Sequence, residues 1–322
     1  MQPENIVTDQ FFIVKAATKK VSSKGDTYLD LVFGNAEGEI SSKLWDYKEG
    51  AHDWIVPNII VKVRGNEEMW NDKKQFRLQR IRRVGPEDQL KMSDLVPCAP
   101  FEGSELFDQI VAVTDTFTDG DLKLLVQDIL FRCREKMMRA PAAVRLHHAM
   151  GGGLLYHTLS VTRLAEGICQ VYPNIRRDLL LSGAILHDIA KVDELQTEET
   201  GLASGYTTPG VLLGHLVMGA MEVRETAGRL GTDPETALLL EHMLLSHHGL
   251  PEYGCAVRPM LLEAELLSMV DNMDATIHQI TGAVNAVAPG EFSEKLWALD
   301  QRKFYNHSGR QEEPPRILKK EI

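Results

Sequence analysis

Leu180-Leu181-Ser182-Gly183-Ala184-Ile185-Leu186-His187-Asp188-Ile189-Ala190-Lys191 is the stretch on which the fold turns. Its first seven residues are apolar or small, as in a helix buried on most of its circumference. A histidine and an aspartate follow directly. An ionised aspartate among apolar helices is costly to bury unless a cation or hydrogen bonds compensate. Neighbouring positions on a helix project about 100° apart. His187 and Asp188 can therefore meet one ion only where the helix aims its end at it.

The same pattern recurs along the chain. His157 follows Gly152-Gly153-Leu154-Leu155-Tyr156, and Asp271 follows Leu266-Leu267-Ser268-Met269-Val270. His215 and the pair His247-His248 stand in similar surroundings, and eight of the eleven histidines fall between 147 and 248. Repetition across five helices points to one shared compensating partner, a divalent cation. A single core histidine is more often satisfied by a hydrogen bond than by a metal. The joint pattern is what singles out His157, His187, Asp188 and Asp271, followed by His215 and by His247 or His248. Asp188, with two oxygens, is suited to bridge two ions. Two ions roughly 3.5–4 Å apart would activate a water and hold a phosphate in line for attack. Asp274, one turn beyond Asp271, is a candidate supporting or capping group. His242, His52, His278 and His307 read as structural. His147-His148 precedes Gly151-Gly152-Gly153 and reads as a loop, although such a run can bring backbone N–H groups to a phosphate.

Imidazoles and carboxylates without thiolates suit manganese, iron, cobalt, nickel or zinc. The expected cofactor is one or two divalent ions, Mn2+ first, with Fe2+, Co2+, Ni2+, Zn2+ or Mg2+ as alternatives. Cys98, Cys133, Cys169 and Cys255 are far apart and form no CxxC pair, which excludes a thiolate zinc site and a disulfide framework.

Outward from this core, the chain changes character near residue 90. Helical periodicity predicts helices over 103–114, 120–139, 153–171, 176–190, 209–230, 234–248 and 257–279. Before residue 90 the pattern is strand-like, in runs 11–16, 28–33, 40–45, 59–64 and 75–82. Turn signals separate them, such as Ser22-Ser23-Lys24-Gly25-Asp26 and Asn71-Asp72. Five short strands without helical period suggest a small closed barrel. The expected fold class is thus multidomain. It comprises a small β-barrel over 1–88, an all-α bundle over 89–300, and a polar, mobile tail over 301–322 that contains Pro314-Pro315.

Composition bounds the function. Hydrophobic residues make up 43% of the 322 and charged residues 25%, as in an ordinary globular chain. No stretch approaches the ~20 apolar residues of a membrane span. Residues 1–9 lack the features of a signal peptide, so a cytoplasmic location is the expectation. The net charge of −11 argues against a generally basic nucleic-acid binder. The balance is uneven, however: +2 over residues 1–85 and −13 over the rest. The front barrel can therefore carry a basic face. Candidate phosphate partners are Lys15, Lys62, Arg64, Lys73, Lys74, Arg77, Arg80 and Arg82. Candidate stacking rings are Phe12, Tyr28, Phe33, Trp45, Trp70 and Phe76. Phe33 and Trp45 are expected to be partly buried, and Trp70 to be the best exposed.

The order His … His-Asp … Asp resembles that of HD-domain phosphohydrolases. The stretches GGGLLYHTLSV, LSGAILHDIAKVDEL, GHLVMG, LSHHGLPEYG and EAELLSMVDNMDA are similar to the YhaM-type 3′→5′ exoribonucleases, over about residues 8–290. That family joins an N-terminal OB-fold to an HD domain, and KGDTYLDLVFGNAEGEISSKLWD resembles the first strands of its OB part. The resemblance implies that His157, His187, Asp188 and Asp271 hold a first metal. It implies that His215, His247 and His248 complete a second, and that Asp188 and Lys191 are catalytic, with Lys191 near the scissile phosphate. Ala190 replaces a usual glycine, and Cys255-Ala256 stands where relatives often carry Ser-Pro. The implied activity is hydrolysis of single-stranded RNA, with single-stranded DNA open, to nucleoside 5′-monophosphates. The shared metal chemistry leaves a nucleotide or cyclic-dinucleotide phosphohydrolase as one alternative. A non-catalytic single-strand-binding adaptor is another. Oligomeric state is not legible.

Overall fold

The computed structural model describes residues 7–35, 38–70, 73–85, 87–88, 90, 95–96, 99–143, 150–197 and 203–307. The turn at Asn71-Asp72, the pair His147-His148, Cys98 and the tail beyond residue 307 lie outside the described residues, as do the side chains of Trp70 and Lys73. The chain divides into two compact units, Met1–Pro97 and Cys98–Ile322.

In the first unit, β1 (Thr8–Val21), β2 (Thr27–Asn35), β3 (Gly38–Leu44), β4 (Ile60–Trp70) and β5 (Lys73–Arg83) close a barrel in the order β1-β2-β3-β5-β4. All neighbours are antiparallel except β3 and β5, which run parallel through Ser41↔Gln75 and Ser42↔Phe76. That five-stranded closed order is the OB-fold arrangement. Alternation explains the inside: Leu29, Leu31, Phe33, Val61, Val63 and Phe76 point inward with Phe12 and Val14. Phe12, Phe33 and Phe76 form one aromatic cluster, with Phe12 and Phe33 stacked at 5.3 Å. All three are buried, so the expectation that they stack on bases is corrected: they are core. Bulges at Lys15 in β1 and Gln79 in β5 bend those strands, the coiling a small barrel needs.

Among its described residues the second unit is helical save for one hairpin and two isolated bridges. Its elements are α1 (Gly103–Asp115), α2 (Gly120–Met137), α3 (Gly153–Val171), α4 (Arg177–Leu186), α5 (Lys191–Glu194), β6 (Leu195–Thr197), β7 (Ala203–Tyr206), α6 (Thr208–Leu230), α7 (Pro234–Ser246) and α8 (Leu262–Asn285). Caps place several starts: the Asp119 side chain accepts from Leu122, Thr207 from Gly210, and Asp233 from Thr236. Leu154, Leu155, Leu159, Leu180, Leu181, Ile185, Leu240, Leu244 and Leu267 belong to one buried core.

Four differences from the sequence reading bear on the site. The helix expected over 176–190 ends at Leu186, and 187–190 turn before α5. The helix expected over 209–230 is broken at Gly214. The last helix runs 262–285 instead of 257–279; Pro259 disfavours helix before it. The β6–β7 hairpin went unseen because its strands are short and mostly polar. Residues at the start of the expected tail also fold back, with Leu296↔Arg302 and Phe292↔Tyr305 paired.

Candidate functional site

Two helices end at the site. α4 stops at Leu186, with the His187 N–H still bonded to the Gly183 carbonyl at 2.8 Å, so His187 and Asp188 project from the helix end. α7 stops at Ser246, and His247 and His248 project likewise. The negative end of a helix dipole favours a cation. Gly183 lets these helices approach: a Cβ there would lie 2.3 Å from Met243 Cε. Gly183 and Met243 each sit one turn before a ligand-type histidine, and the His187 and His247 rings are 5.0 Å apart. α3 supplies His157, the second half of α6 supplies His215, and α8 supplies Asp271.

The side chains form two adjoining half-sites about Asp188. On one side, His157 Nε2 lies 3.2 Å from His187 Nε2, 3.1 Å from Asp271 Oδ1 and 3.6 Å from Asp188 Oδ2. His187 Nε2 lies 3.4 Å from that same Asp188 oxygen. On the other side, His215 Nε2 is 3.3 Å from His248 Nε2 and 3.4 Å from Asp188 Oδ1, and His247 Nε2 is 3.8 Å from Asp188 Oδ1. His157, His187 and Asp271 bring ligand atoms within 4.8 Å of one another, as do His215, His247 and His248. His187, Asp188 and His247 do the same between them.

The donor set fits divalent ions. All five Nδ1 atoms are committed: His187 to the Ala184 carbonyl, His247 to Leu244, His248 to Tyr253, His157 to Asp274 and His215 to Glu194. A carbonyl can only accept, so Nδ1 is the donor and Nε2 is the atom left for an ion. Asp188 Oδ1 and His247 Nε2 are buried without a hydrogen-bond partner. Orphaned buried acceptors of this kind call for a missing cation.

Charge is concentrated here. Burial opposes ionisation of Asp188, but the Lys191 ammonium and then His187 hold its carboxyl well below the usual range. Asp271 is likewise lowered, chiefly by its bond to His157 after burial is overcome. Burial disfavours the His157 cation, yet the hydrogen bonds it donates to Asp271 and Asp274 push it up to about 10. Burial lowers His247 and His248. Lys191 Nζ donates to Asp188 Oδ2 at 2.7 Å, and its value is raised by that carboxylate against burial.

On the barrel, the basic residues divide. Lys62 and Arg82 are held by Asp88, at 3.0 Å and by a two-pronged contact at 2.6 Å. Lys74 pairs with Glu67 at 3.0 Å, and Arg77 stands 3.9 Å from Glu68. Arg64 and Arg80 oppose each other on β4 and β5, both exposed, and make no ion pair among the described residues. Trp45 corrects an expectation: it is 56% exposed, not partly buried. It lies 4.6 Å from Tyr28, and Lys43 stands over both rings. Lys43 was not among the expected phosphate partners.

The HD domain family profile matches residues 154–276, which hold every ligand-type residue named above. The chain is 35% identical over 297 residues to the 3′-5′ exoribonuclease YhaM of Bacillus licheniformis, covering 92% of this chain and 94% of that one. The figures are the same for YhaM of Bacillus subtilis, and YhaM of Listeria innocua is 35% identical over 296 residues. The chain belongs to the YhaM family of 3′→5′ exoribonucleases. The second OB-fold domain of replication protein A from Methanococcus maripaludis aligns at 17% identity over 27% of this chain and 90% of its own, with a TM-score of 0.19. The barrel's fold follows from its own strand order.

Against the YhaM-type pattern, Ala190 sits at φ −74°, ψ −5°, a conformation open to any residue, so its methyl brings no strain. Cys255 is buried. Two residues that the YhaM-type motif did not flag also join the site, Glu194 and Ser160. The signal for Glu194 was an acid between Val192 and Leu195, which burial makes conspicuous only in three dimensions.

Proposed function

We propose that this protein is a metal-dependent 3′→5′ exoribonuclease that shortens single-stranded RNA and releases nucleoside 5′-monophosphates. The observation that carries the reading is the convergence of four imidazole Nε2 atoms, two on each oxygen of one buried carboxylate, with a fifth, that of His248, beside His215. His157, His187, Asp271 and Asp188 would hold one ion; His215, His247, His248 and Asp188 the other. Bound divalent ions, manganese first, supply Lewis acidity toward phosphate oxygens and bring the pKa of water toward neutrality. Asp188 supplies the shared negative charge. Lys191, close beside it, offers a fixed cation to the charge that builds on the attacked phosphate. On the barrel, the exposed Trp45 against the half-buried Tyr28, with Lys43, suits stacked bases, on the β2–β3 face by which OB-folds bind strands. Arg64 and Arg80 suit the backbone phosphates. No described helix is long and apolar enough to cross a membrane; action in the cytoplasm is part of the proposal.

The test is digestion of 5′-labelled single-stranded RNA and a matched DNA with Mn2+, with products analysed. The expected result is a ladder receding from the 3′ end with nucleoside 5′-monophosphates released, abolished by chelator and by His187→Ala/Asp188→Ala. Absence of a ladder, or a ladder that survives in the double variant, overturns the reading. Stronger digestion of DNA than RNA overturns the substrate part alone.

A further inference from the structure

Each half-site contains one imidazole backed by a buried carboxylate. His157 Nδ1 lies 2.7 Å from Asp274 Oδ2, and Asp274 also accepts from Ser160. His215 Nδ1 lies 3.0 Å from both Glu194 oxygens, and Glu194 Oε1 accepts the His215 N–H at 3.0 Å. The other three rings rely on backbone carbonyls. Asp274 is 6% exposed and Glu194 7%. Both stand on the Nδ1 side of their rings, away from the atom that faces the ion.

The chain is bent to make the second of these contacts. Gly214, at φ 73° and ψ 159°, breaks α6 immediately before His215, a conformation that favours glycine. At the break, the His215 N–H donates to Glu194, whose carboxylate thereby caps the second half of the helix. The Glu194 carbonyl is itself fixed by the Thr207 N–H at 2.9 Å. A carboxylate in this position fixes the tautomer, holds the ring plane and makes Nε2 a stronger ligand than a carbonyl does.

We infer that Asp274 and Glu194 are positioning residues that set the ion affinity of the two half-sites separately, Asp274 through His157 and Glu194 through His215. The inference rests on the two-ion reading proposed above. It predicts a double dissociation that a general loss of stability cannot produce.

The experiment is calorimetric titration of Mn2+ into the chelator-stripped full chain, together with the unfolding midpoint of each stripped protein. Wild type takes two ions. Glu194→Gln weakens one binding event about 10–100-fold, the same event that His215→Ala removes, and leaves the other unchanged. Asp274→Asn weakens the other event by a similar factor, and Glu194→Asp, which keeps the charge, restores part of the Glu194→Gln loss. If Glu194→Gln does not fold, Glu194→Asp carries the same expectation in smaller measure. Four results overturn the inference. They are that both variants weaken the same event, that both events weaken equally, that only the unfolding midpoint moves, and that wild type binds a single ion. RNA digestion is a separate readout. A chain that binds two ions but digests no RNA sinks the nuclease reading and leaves this one standing.

Discussion

Lys191 is the residue whose role separates binding from chemistry. Its ammonium is nearly enclosed, 12% exposed, and lies 2.7 Å from an Asp188 oxygen. Replacing it with alanine removes a fixed cation from the attacked phosphate and leaves every imidazole in place. Lys191→Ala is expected to lower kcat about 100–1,000-fold while the manganese content of the purified protein stays that of wild type. Single-turnover RNA digestion with elemental analysis checks it; an unchanged kcat contradicts it. His157 gives a pH prediction. In the stripped protein Asp271 and Asp274 raise its value to about 10, against burial, so near neutrality the ring is protonated. A metal must displace that proton. Adding Mn2+ at pH 8 is therefore expected to release protons, and affinity to fall as pH is lowered. Titration in buffers of different ionisation enthalpy measures the release; zero release contradicts it.

At the scale of elements, the kink in α6 and the outer face of the barrel are the tests. Gly214→Ala forces a side chain into a positive-φ, extended-ψ conformation that is essentially glycine's alone, and is expected to cost about 1–3 kcal/mol, read from urea unfolding. An unchanged midpoint means that the break is not needed. Trp45→Ala is expected to weaken single-stranded RNA binding by about 1–3 kcal/mol and to leave unfolding unchanged. Phe76→Ala does the reverse, destabilising the barrel by about 3–5 kcal/mol. Filter binding and thermal melts distinguish the pair, and equal effects on binding contradict the assignment of the face. Much of this was legible beforehand. Strand-like runs between turn signals marked all five strands, and periodicity marked the helices that carry His157, His215 and Asp271. What escaped was what alternation and periodicity do not encode. Trp45 follows the last residue of β3, where the inward–outward rule lapses. Gly214 sits inside a continuous helical pattern, and only its φ value shows the break. Asp188 and Glu194 differ in sequence context, yet the fold brings both against His215.

At the scale of the molecule, two units divide the work. The barrel carries a balance near neutral and holds Tyr28, Lys43, Trp45, Arg64 and Arg80 outward. The helical unit carries the acidic excess, part of it gathered in Asp188, Glu194, Asp271 and Asp274. The candidate ligands come from α3, the ends of α4 and α7, α6 and α8, so no piece shorter than His157 to Asp271 contains them all. That dispersal explains why the residues' own pattern gave the metal reading only as a repetition, and why the division of the ligands into two sets came from the family resemblance. The central claim is that Asp188 lies between two ion positions. Anomalous diffraction at the manganese edge, from crystals of the full chain grown with excess Mn2+, tests it most directly. Two peaks roughly 3.5–4 Å apart are expected, one on each side of the Asp188 carboxylate. A single peak, or none, with His215, His247 and His248 bonded only to protein, contradicts the account.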